Sequence, residues 1–355
     1  MTRRIAVVSG GRSSEHEISV ASARGISTAL GARGDEVISI VIDRSGGWAL
    51  GPASPEALPA GLDAPSPGGS SLPGDTGVPG GAVVPRLPDR AIAAALAEVD
   101  VVFPALHGPF GEDGTVQGLL ELAGIPYVGA GVAASALAMD KDLLKSVLRD
   151  KGIPVTRNIT LRPGDHVASP FGFPVFVKPA RLGSSVGISK AHDEAELEDA
   201  VALAFRHDEK VLVEDFVEGI EIEIGVLGNL EPIASIPGEI VVAKNEWYYF
   251  EAKYEPGQMT LVVPARISGE QVRRAQELAV RAFVAIDCEG MARVDMFVRT
   301  DGEVLVNELN TIPGFTETSV YASLFEASGL GYGALLDRLV ELALERHERR
   351  GRLWY

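Results

Sequence analysis

Cysteine and long apolar runs are scarce in this sequence. The single cysteine, Cys288, cannot form an internal disulfide, so no disulfide framework is expected. Glycine, proline or charge interrupts every apolar run well before the ~20 residues needed to span a bilayer. The first residues contain too short an apolar run for a signal peptide. These absences predict a cytoplasmic globular protein without a membrane segment.

Basic residues are also in deficit. The chain has 32 Lys and Arg residues against 49 Asp and Glu residues, which gives a formal charge of −17. Such a charge repels nucleic-acid phosphates and anionic lipid unless basic residues cluster locally. We therefore expect neither nucleic acid nor membrane as a partner. The length of 355 residues suffices for two or three domains, each with its own core.

Strand and helix patterns alternate in the first third of the chain. An apolar run over 5–8 ends in a glycine turn, and a helical pattern follows over 18–30. The other elements predicted here are strands at 36–42 and 99–106 and helices at 91–97 and 116–122. This order is typical of a parallel α/β sheet. Because 17 of the 40 residues in 51–90 are glycine or proline, that stretch is interpreted as a surface insertion.

The patterns that follow indicate two smaller α+β units. The elements predicted are a helix at 133–150, strands at 175–178, 186–190 and 210–213, a helix beginning at Asp193, and a helix at 272–286. We predict three domains: an N-terminal α/β domain over 1–130, a central domain over 131–213, and a C-terminal domain over 214–355.

A hairpin pattern near the C-terminus predicts a cluster of polar side chains. The Asp-Gly pair at 301–302 separates two alternating strands and favours a two-residue type I′ turn, which pairs residues whose numbers sum to 603. Asp295 then faces Glu308, and Arg293 faces Asn310. Side chains alternate with period two, so one face is predicted to hold Arg293, Asp295, Phe297, Val306, Glu308 and Asn310.

Two readings of this face stay open. Two carboxylates and an amide offer oxygen ligands for Mg²⁺ that bridges phosphates, and the arginine beside them could stabilise developing negative charge. A cross-strand ion pair on a solvated face explains the same residues.

Two loops and a helix lysine are further candidates. Lys178 ends a strand and precedes a Gly-Ser-Ser-x-Gly loop at 183–187, whose N–H groups and hydroxyls could cover phosphates. An ordinary turn also fits this loop. Lys141 fits a solvated helix lysine equally well.

A turn over 10–17 follows the first strand, where α/β sheets often bind ligands. Glu15 could hold a substrate ammonium there, or could simply favour the positive end of a helix dipole. Ser14 and Glu17 have capping-box spacing. His107 occupies a second turn at a strand end, where a structural role is equally open.

Together these segments resemble the ATP-grasp D-alanine:D-alanine ligases. They occur in the family's order along nearly the whole chain, apart from the Gly/Pro-rich insertion. The matching segments are 10–19, 106–118, 134–141, 175–189, 213–221, 251–254, 290–296 and 307–319. The resemblance implies an ATP-grasp fold, in which two α+β domains clamp ATP beside an N-terminal α/β domain.

The resemblance also implies a reaction in peptidoglycan precursor synthesis. ATP phosphorylates the carboxylate of one D-alanine, and the amine of a second D-alanine attacks the resulting acyl phosphate. Two Mg²⁺ ions, which Mn²⁺ could replace, a monovalent cation such as K⁺, and a homodimer are further implications.

Site residues are carried over from the family by position. The residues implied to bind the nucleotide are Lys141, Lys178, Ser184, Ser185, Glu214 and Glu221. The implied metal ligands are Asp295, Glu308 and Asn310. Glu15 should bind the first alanine's ammonium, with His107 nearby. Arg293 and the Gly314 N–H should stabilise the oxyanion, and Ser319 should receive the second carboxylate.

Lys253 and Tyr254 resemble part of a mobile loop that closes over the nucleotide. Tyr254 would join Ser184 and Glu15 in a hydrogen-bonded latch, and its presence favours an amine as second substrate, because the ligases that make D-alanyl-D-lactate lack it. Asp215 departs from relatives that have lysine near the adenine.

Other functions are weighed beside this one. A paralogous ligase for other small D-amino acids, serving an antibiotic or resistance pathway, would share these motifs, as would a non-catalytic ATP-binding homologue. Intact candidate metal ligands disfavour the latter. A Rossmann dehydrogenase is disfavoured because the turn after the first strand lacks G-x-G-x-x-G spacing.

Overall fold

The computed structural model describes residues 2–52, 88–184, 186–242 and 259–354. Most of the predicted insertion at 51–90 lies outside these ranges. No helix within them is both long enough and apolar enough to cross a membrane.

The N-terminal sheet is the predicted α/β unit. Its elements are β1 (Arg4–Gly10), α1 (His16–Ala32), β2 (Glu36–Ile42), β3 (Trp48–Leu50), α2 (Arg90–Leu96), β4 (Val101–Pro104) and α3 (Thr115–Leu122). The strand order is β3-β2-β1-β4, and β1 runs parallel to both β2 and β4. Gly10 ends β1 at φ +87°, where an added Cβ would lie 2.1 Å from the Ile42 carbonyl oxygen. Glycine is therefore required at the turn that follows β1.

The helix predicted over 133–150 is two helices, α4 (Val132–Met139) and α5 (Lys141–Asp150). Asp140 separates them because its extended backbone ends α4 while its carboxylate accepts a hydrogen bond from the Leu143 N–H at 3.1 Å. The same carboxylate lies 2.6 Å from the Lys210 Nζ. This cap places Lys141 at the first position of α5.

A four-stranded antiparallel sheet follows. Its elements are β5 (Asn158–Leu161), β6 (Val175–Pro179), β7 (Ser189–Ala191), α6 (Glu194–Ala204) and β8 (Val211–Asp215), and the strand order is β5-β8-β6-β7. Helices α4 and α5 do not contribute to its core. Their apolar residues, among them Ala138 and Leu148, pack with Val294 of the next sheet.

The third sheet is the largest in the described residues. Its elements and flanking helices are β9 (Gly219–Gly228), β10 (Ile233–Ala234), β11 (Gly238–Val242), β12 (Met259–Val262), α7 (Gly269–Ala285), β13 (Gly290–Arg299), β14 (Val304–Asn310), α8 (Val320–Ala327) and α9 (Tyr332–Gly351). The order is β12-β11-β9-β13-β14, with β10 paired to β9. Helix α9 packs against both β4 and β13, so N- and C-terminal elements share a core.

The hairpin β13–β14 corrects one prediction and confirms another. Asp295 pairs with Glu308 and Arg293 with Asn310, as predicted. The predicted two-residue turn is wrong: Arg299 donates its N–H to Glu303, which closes a three-residue loop that ends at Gly302 with φ +92°.

A bulge restores the predicted pairing further along the hairpin. Met296 pairs with Val306, whereas Asp295 pairs with Glu308, so Asn307 is an extra residue in β14. Val306 therefore belongs to the core and not to the polar face, which corrects its predicted position. The added loop residue and the bulge compensate each other, and the polar residues keep their register.

Candidate active site

A cleft of about 520 Å³ lies between the N-terminal sheet, the glycine loop and the β13–β14 hairpin. Its lining includes eight residues predicted from the sequence: Glu15, His107, Ser184, Arg293, Glu308, Asn310, Gly314 and Ser319. These residues come from distant parts of the chain. The tertiary structure thus gathers eight of the thirteen predicted site residues that it describes around one space.

Arg293 lies at the centre of the polar face. Its Nε and Nη2 atoms each lie 2.7 Å from an oxygen of Asp295, and its Nε lies 3.1 Å from Glu223 Oε2. Burial alone would lower the pKa of Arg293, but Asp295 and Glu223 raise it well above its ordinary value. The guanidinium is therefore a fixed positive charge at the cleft.

Glu223 was missed by the sequence reasoning. It lies on β9 directly across from Asp295, while Glu221 lies across from Phe297. The available signal was the alternation of acidic and apolar residues along β9, which places both glutamates on one face of the strand. The pairing of β9 with β13 makes this the face that holds Arg293.

The predicted metal ligands occupy adjacent positions on β13 and β14. Asn310 Nδ2 donates to Asp295 Oδ2 at 3.0 Å, and Glu308 Oε2 lies 3.4 Å from Lys141 Nζ. No group of three or more His, Cys, Asp or Glu side chains in the described ranges is arranged to hold a metal. Two carboxylates and an amide nevertheless fit Mg²⁺, which usually takes one or two carboxylates together with substrate phosphates.

A buried charge cluster joins α5, β6 and β8. Glu214 Oε2 is 2.6 Å from Lys178 Nζ, and its Oε1 is 2.8 Å from Lys145 Nζ. Lys145 also donates to the hydroxyl of Thr156. Burial lowers the pKa of Lys145 to about 8. Burial would raise the pKa of Glu214, but the two lysines hold it below its usual value.

Lys145 was not singled out from the sequence. It follows Lys141 by four residues on α5, and this spacing places both lysines on one helix face. Both oxygens of Glu214 face lysines, and the nucleotide contact implied for Glu214 stays a prediction.

Lys141 contacts the glycine loop directly. Its Nζ donates to the Leu182 carbonyl at 2.7 Å, and its backbone N–H donates to Ala180 at 3.0 Å. Ser184 in the same loop donates its hydroxyl to Glu15. The loop therefore bridges α5 and the start of α1.

Glu15 immediately precedes α1 and makes no capping hydrogen bond with its side chain. The capping box predicted from Ser14 and Glu17 is not formed, because Glu17 pairs with Arg44 instead. The Glu15 carboxylate is thus directed towards the cleft and the Ser184 hydroxyl.

His107 is buried between α1 and the segment after β14. Its Nδ1 lies 2.9 Å from the Ile312 carbonyl oxygen, and its Nε2 lies 3.1 Å from Ser22 Oγ. Burial lowers the pKa of His107, which favours the neutral form of the ring. Glu112 lies nearby, and burial together with the charge of Glu15 raises its pKa to about 8.

Ser319 stands at the N-terminus of α8. Its Oγ accepts a hydrogen bond from the Thr316 N–H at 2.8 Å. Free N–H groups at a helix N-terminus favour a carboxylate.

Three other predicted site residues, Ser185, Lys253 and Tyr254, lie outside the described residues, and the predictions for them stand.

The three sheets match the ATP-grasp class of ligases, and the predicted fold class is confirmed. Family models described as the D-ala D-ala ligase N-terminus and C-terminus match residues 4–130 and 147–341. The chain belongs to the D-alanine–D-alanine ligase family.

Individual relatives cover nearly the whole chain. D-alanine–D-alanine ligase A of Mesorhizobium japonicum is 46% identical over 98% of this chain and 99% of its own length. The D-alanine–D-alanine ligase of Geobacillus thermodenitrificans is 42% identical over 100% of this chain and 99% of its own length.

Two solved structures show the same fold. The D-alanine-D-alanine ligase from Coxiella burnetii is 37% identical, with a TM-score of 0.81 over 99% of this chain and 96% of that one. The VanG D-Ala:D-Ser ligase from Enterococcus faecalis is 34% identical, with a TM-score of 0.80 over 97% of this chain and 100% of that one.

Proposed function

We propose that this protein joins two D-alanine molecules into D-alanyl-D-alanine while ATP is converted to ADP and phosphate. The observation that supports this most is the single cleft that gathers Glu15, Arg293 and Ser319 beside the Asp295–Glu308 pair. A carboxylate oxygen of the first D-alanine attacks the γ-phosphorus, and ADP leaves. The unprotonated amine of the second D-alanine attacks the acyl carbon, and phosphate leaves with the bonding electrons and takes up the proton that the nitrogen loses.

The first D-alanine would lie between Glu15 and Arg293. The Glu15 carboxylate suits its ammonium, and the Arg293 guanidinium suits the oxygen that becomes negative as the acyl carbon turns tetrahedral. The Gly314 N–H would supply a second donor to that oxygen. The second D-alanine would direct its carboxylate to Ser319 and the N-terminus of α8.

The nucleotide would lie over the lysines and the glycine loop. Lys141 and Lys178 are the proposed phosphate partners, and Asp295, Glu308 and Asn310 would hold Mg²⁺. When bound, Mg²⁺ would neutralise phosphate charge and align the γ-phosphoryl group. The resemblance further supports two metal ions, Mn²⁺ as a substitute for Mg²⁺, binding of a monovalent cation such as K⁺, a cytoplasmic location and a homodimer.

The activity is tested by measuring phosphate release and peptide products with ATP and one amino acid pair at a time. We expect D-alanyl-D-alanine from D-alanine and no product from L-alanine. Efficient use of D-serine or D-lactate as second substrate would favour a resistance-type ligase. Nucleotide binding without any peptide product would contradict the proposal.

The buried lysine cluster predicts a specific effect on ATP binding. Lys178→Met should raise the KM for ATP about 10- to 100-fold, the scale of a lost hydrogen bond between charged groups, and leave the KM for D-alanine nearly unchanged. Lys145→Met should also raise the KM for ATP, but by less. Without Lys145, the whole negative charge of Glu214 would offset Lys178 and weaken its attraction for phosphate.

Steady-state kinetics with each substrate varied separately would measure both effects. Lys151→Met is the matched control, because Lys151 is exposed and its Nζ lies 3.4 Å from the carboxylate of the adjacent Asp150. An unchanged KM for ATP in the Lys178 variant would remove this lysine from the nucleotide site.

A further inference from the structure

The backbone of residues 312–315, here called the 312–315 loop, is anchored at both ends by side chains from elsewhere. The Ile312 carbonyl accepts from His107 at 2.9 Å, and the Ile312 N–H donates to Glu112 at 3.2 Å. The Phe315 N–H donates to Ser22 at 3.2 Å, and the Phe315 carbonyl accepts from the Tyr332 hydroxyl at 3.0 Å. Both ends of the loop are therefore held against movement.

The middle of the loop faces the cleft. Pro313 has no N–H, and no acceptor for the Gly314 N–H is found among the described residues. The orientation of the Gly314 N–H thus depends on how firmly Ile312 and Phe315 are held.

Ser22 contacts both ends of this arrangement, because its hydroxyl meets His107, which holds Ile312, and also the Phe315 N–H. It is fully buried on α1, and its Oγ lies 3.1 Å from His107 Nε2 while accepting the Phe315 N–H. A carbonyl oxygen can only accept, so His107 carries its hydrogen on Nδ1 and donates it to Ile312. In the neutral ring Nε2 is then an acceptor, and the Ser22 hydroxyl donates to it.

We propose that Ser22 is a positioning residue for the ligation step, because its hydroxyl orients His107 and holds Phe315, and so directs the Gly314 N–H into the cleft. This proposal rests on the proposed role of Gly314 at the oxyanion. Ser22 acts through the loop and not on the substrate, since its hydroxyl hydrogen is donated to His107 and one lone pair of its oxygen accepts the Phe315 N–H.

The role predicts a change in one step of the reaction. Gly314 would assist formation of the tetrahedral carbon, whereas phosphorylation of D-alanine by ATP would proceed without it. Ser22→Ala should therefore lower kcat about 10- to 100-fold and leave the KM for ATP within about twofold, on the scale observed for one oxyanion donor or less.

Positional isotope exchange within ¹⁸O-labelled ATP would separate the two steps, because it reports reversible formation of the acyl phosphate. We expect the ratio of exchange rate to dipeptide rate to rise at least about fivefold in Ser22→Ala, since the second step alone is slowed. A merely structural defect would reduce both rates together and leave the ratio unchanged.

Ser27→Ala is the matched control. Ser27 lies on the same helix, is equally buried, and its hydroxyl has no hydrogen-bond partner among the described residues. It should retain the wild-type kcat and ratio. Ser22→Thr, which keeps the hydroxyl, should recover much of the activity lost in Ser22→Ala.

Ser22→Cys provides a second test if the alanine variant does not fold. It keeps the side-chain size but hydrogen bonds weakly, so the same rise in the ratio is expected. An unchanged ratio in folded Ser22→Ala or Ser22→Cys would overturn the positioning role. The proposed function would still stand in that case, provided that the wild-type protein makes dipeptide. Failure of the wild-type protein to make dipeptide would instead overturn the proposed function.

Discussion

Arg293→Lys should lower kcat about 10²- to 10³-fold, the largest loss expected from a single conservative change in this protein. The guanidinium spans Asp295 and Glu223 at once, with nitrogen–oxygen distances of 2.7 and 3.1 Å. A lysine presents a single ammonium on a flexible stem and cannot reproduce this fork. The oxyanion would lose an oriented donor, which usually costs an enzyme this much in turnover.

The measurement is kcat for dipeptide formation at saturating ATP and D-alanine. Arg299→Lys is the control, because Arg299 lies on the same strand but is exposed and pairs with Asp301 and Glu303 at the hairpin loop. The control should behave as wild type. If Arg293→Lys turned over at the wild-type rate, Arg293 would be only the centre of a structural ion-pair network.

The second large effect is expected at the carboxylates of the hairpin. Asp295→Asn or Glu308→Gln should lower turnover about 100-fold and raise the Mg²⁺ concentration for half-maximal rate at least about tenfold, because each change removes a charged oxygen ligand. The fold should survive, since each substitution preserves size, and Glu308 lines the cleft outside the core.

Initial rates over a Mg²⁺ titration, together with thermal melting, would measure these effects. Asp301→Asn is the control, because Asp301 lies in the exposed loop of the same hairpin, where its carboxylate contacts the Glu303 N–H and Arg299. Near-wild-type rates at ordinary Mg²⁺ concentrations in both cleft variants would remove the hairpin from the active site.

The hairpin shows how far a local pattern can predict geometry. Alternation along two strands and an intervening Asp-Gly pair correctly placed Asp295 opposite Glu308. The turn type was wrong, and a bulge at Asn307 compensated for it. The position of a bulge depends on which side chains the surrounding structure buries, and here Val306 packs into the core. The alternation of residue types along one strand does not predict that packing.

Similar limits apply to helices and caps. The pattern over 133–150 predicted one helix, since nothing in its periodicity separates α4 from α5. The break arises because Asp140 caps α5 while it pairs with Lys210, 70 residues away. The capping box expected at Glu17 is replaced by an ion pair with Arg44, which only the folded chain brings near.

The sequence determined the parallel α/β start, the strand–helix order and the residue types that suit phosphates, Mg²⁺ and an ammonium group. These features depend on periodicity and on spacing within about ten residues, and the ordered motifs identified the family. The tertiary structure alone decided that Lys145 shares Glu214 with Lys178, that Glu223 completes the surroundings of Arg293, and that Ser22 holds Phe315 from 293 positions away. Such contacts form when separate elements pack into one core, and no local pattern specifies which buried side chains then meet.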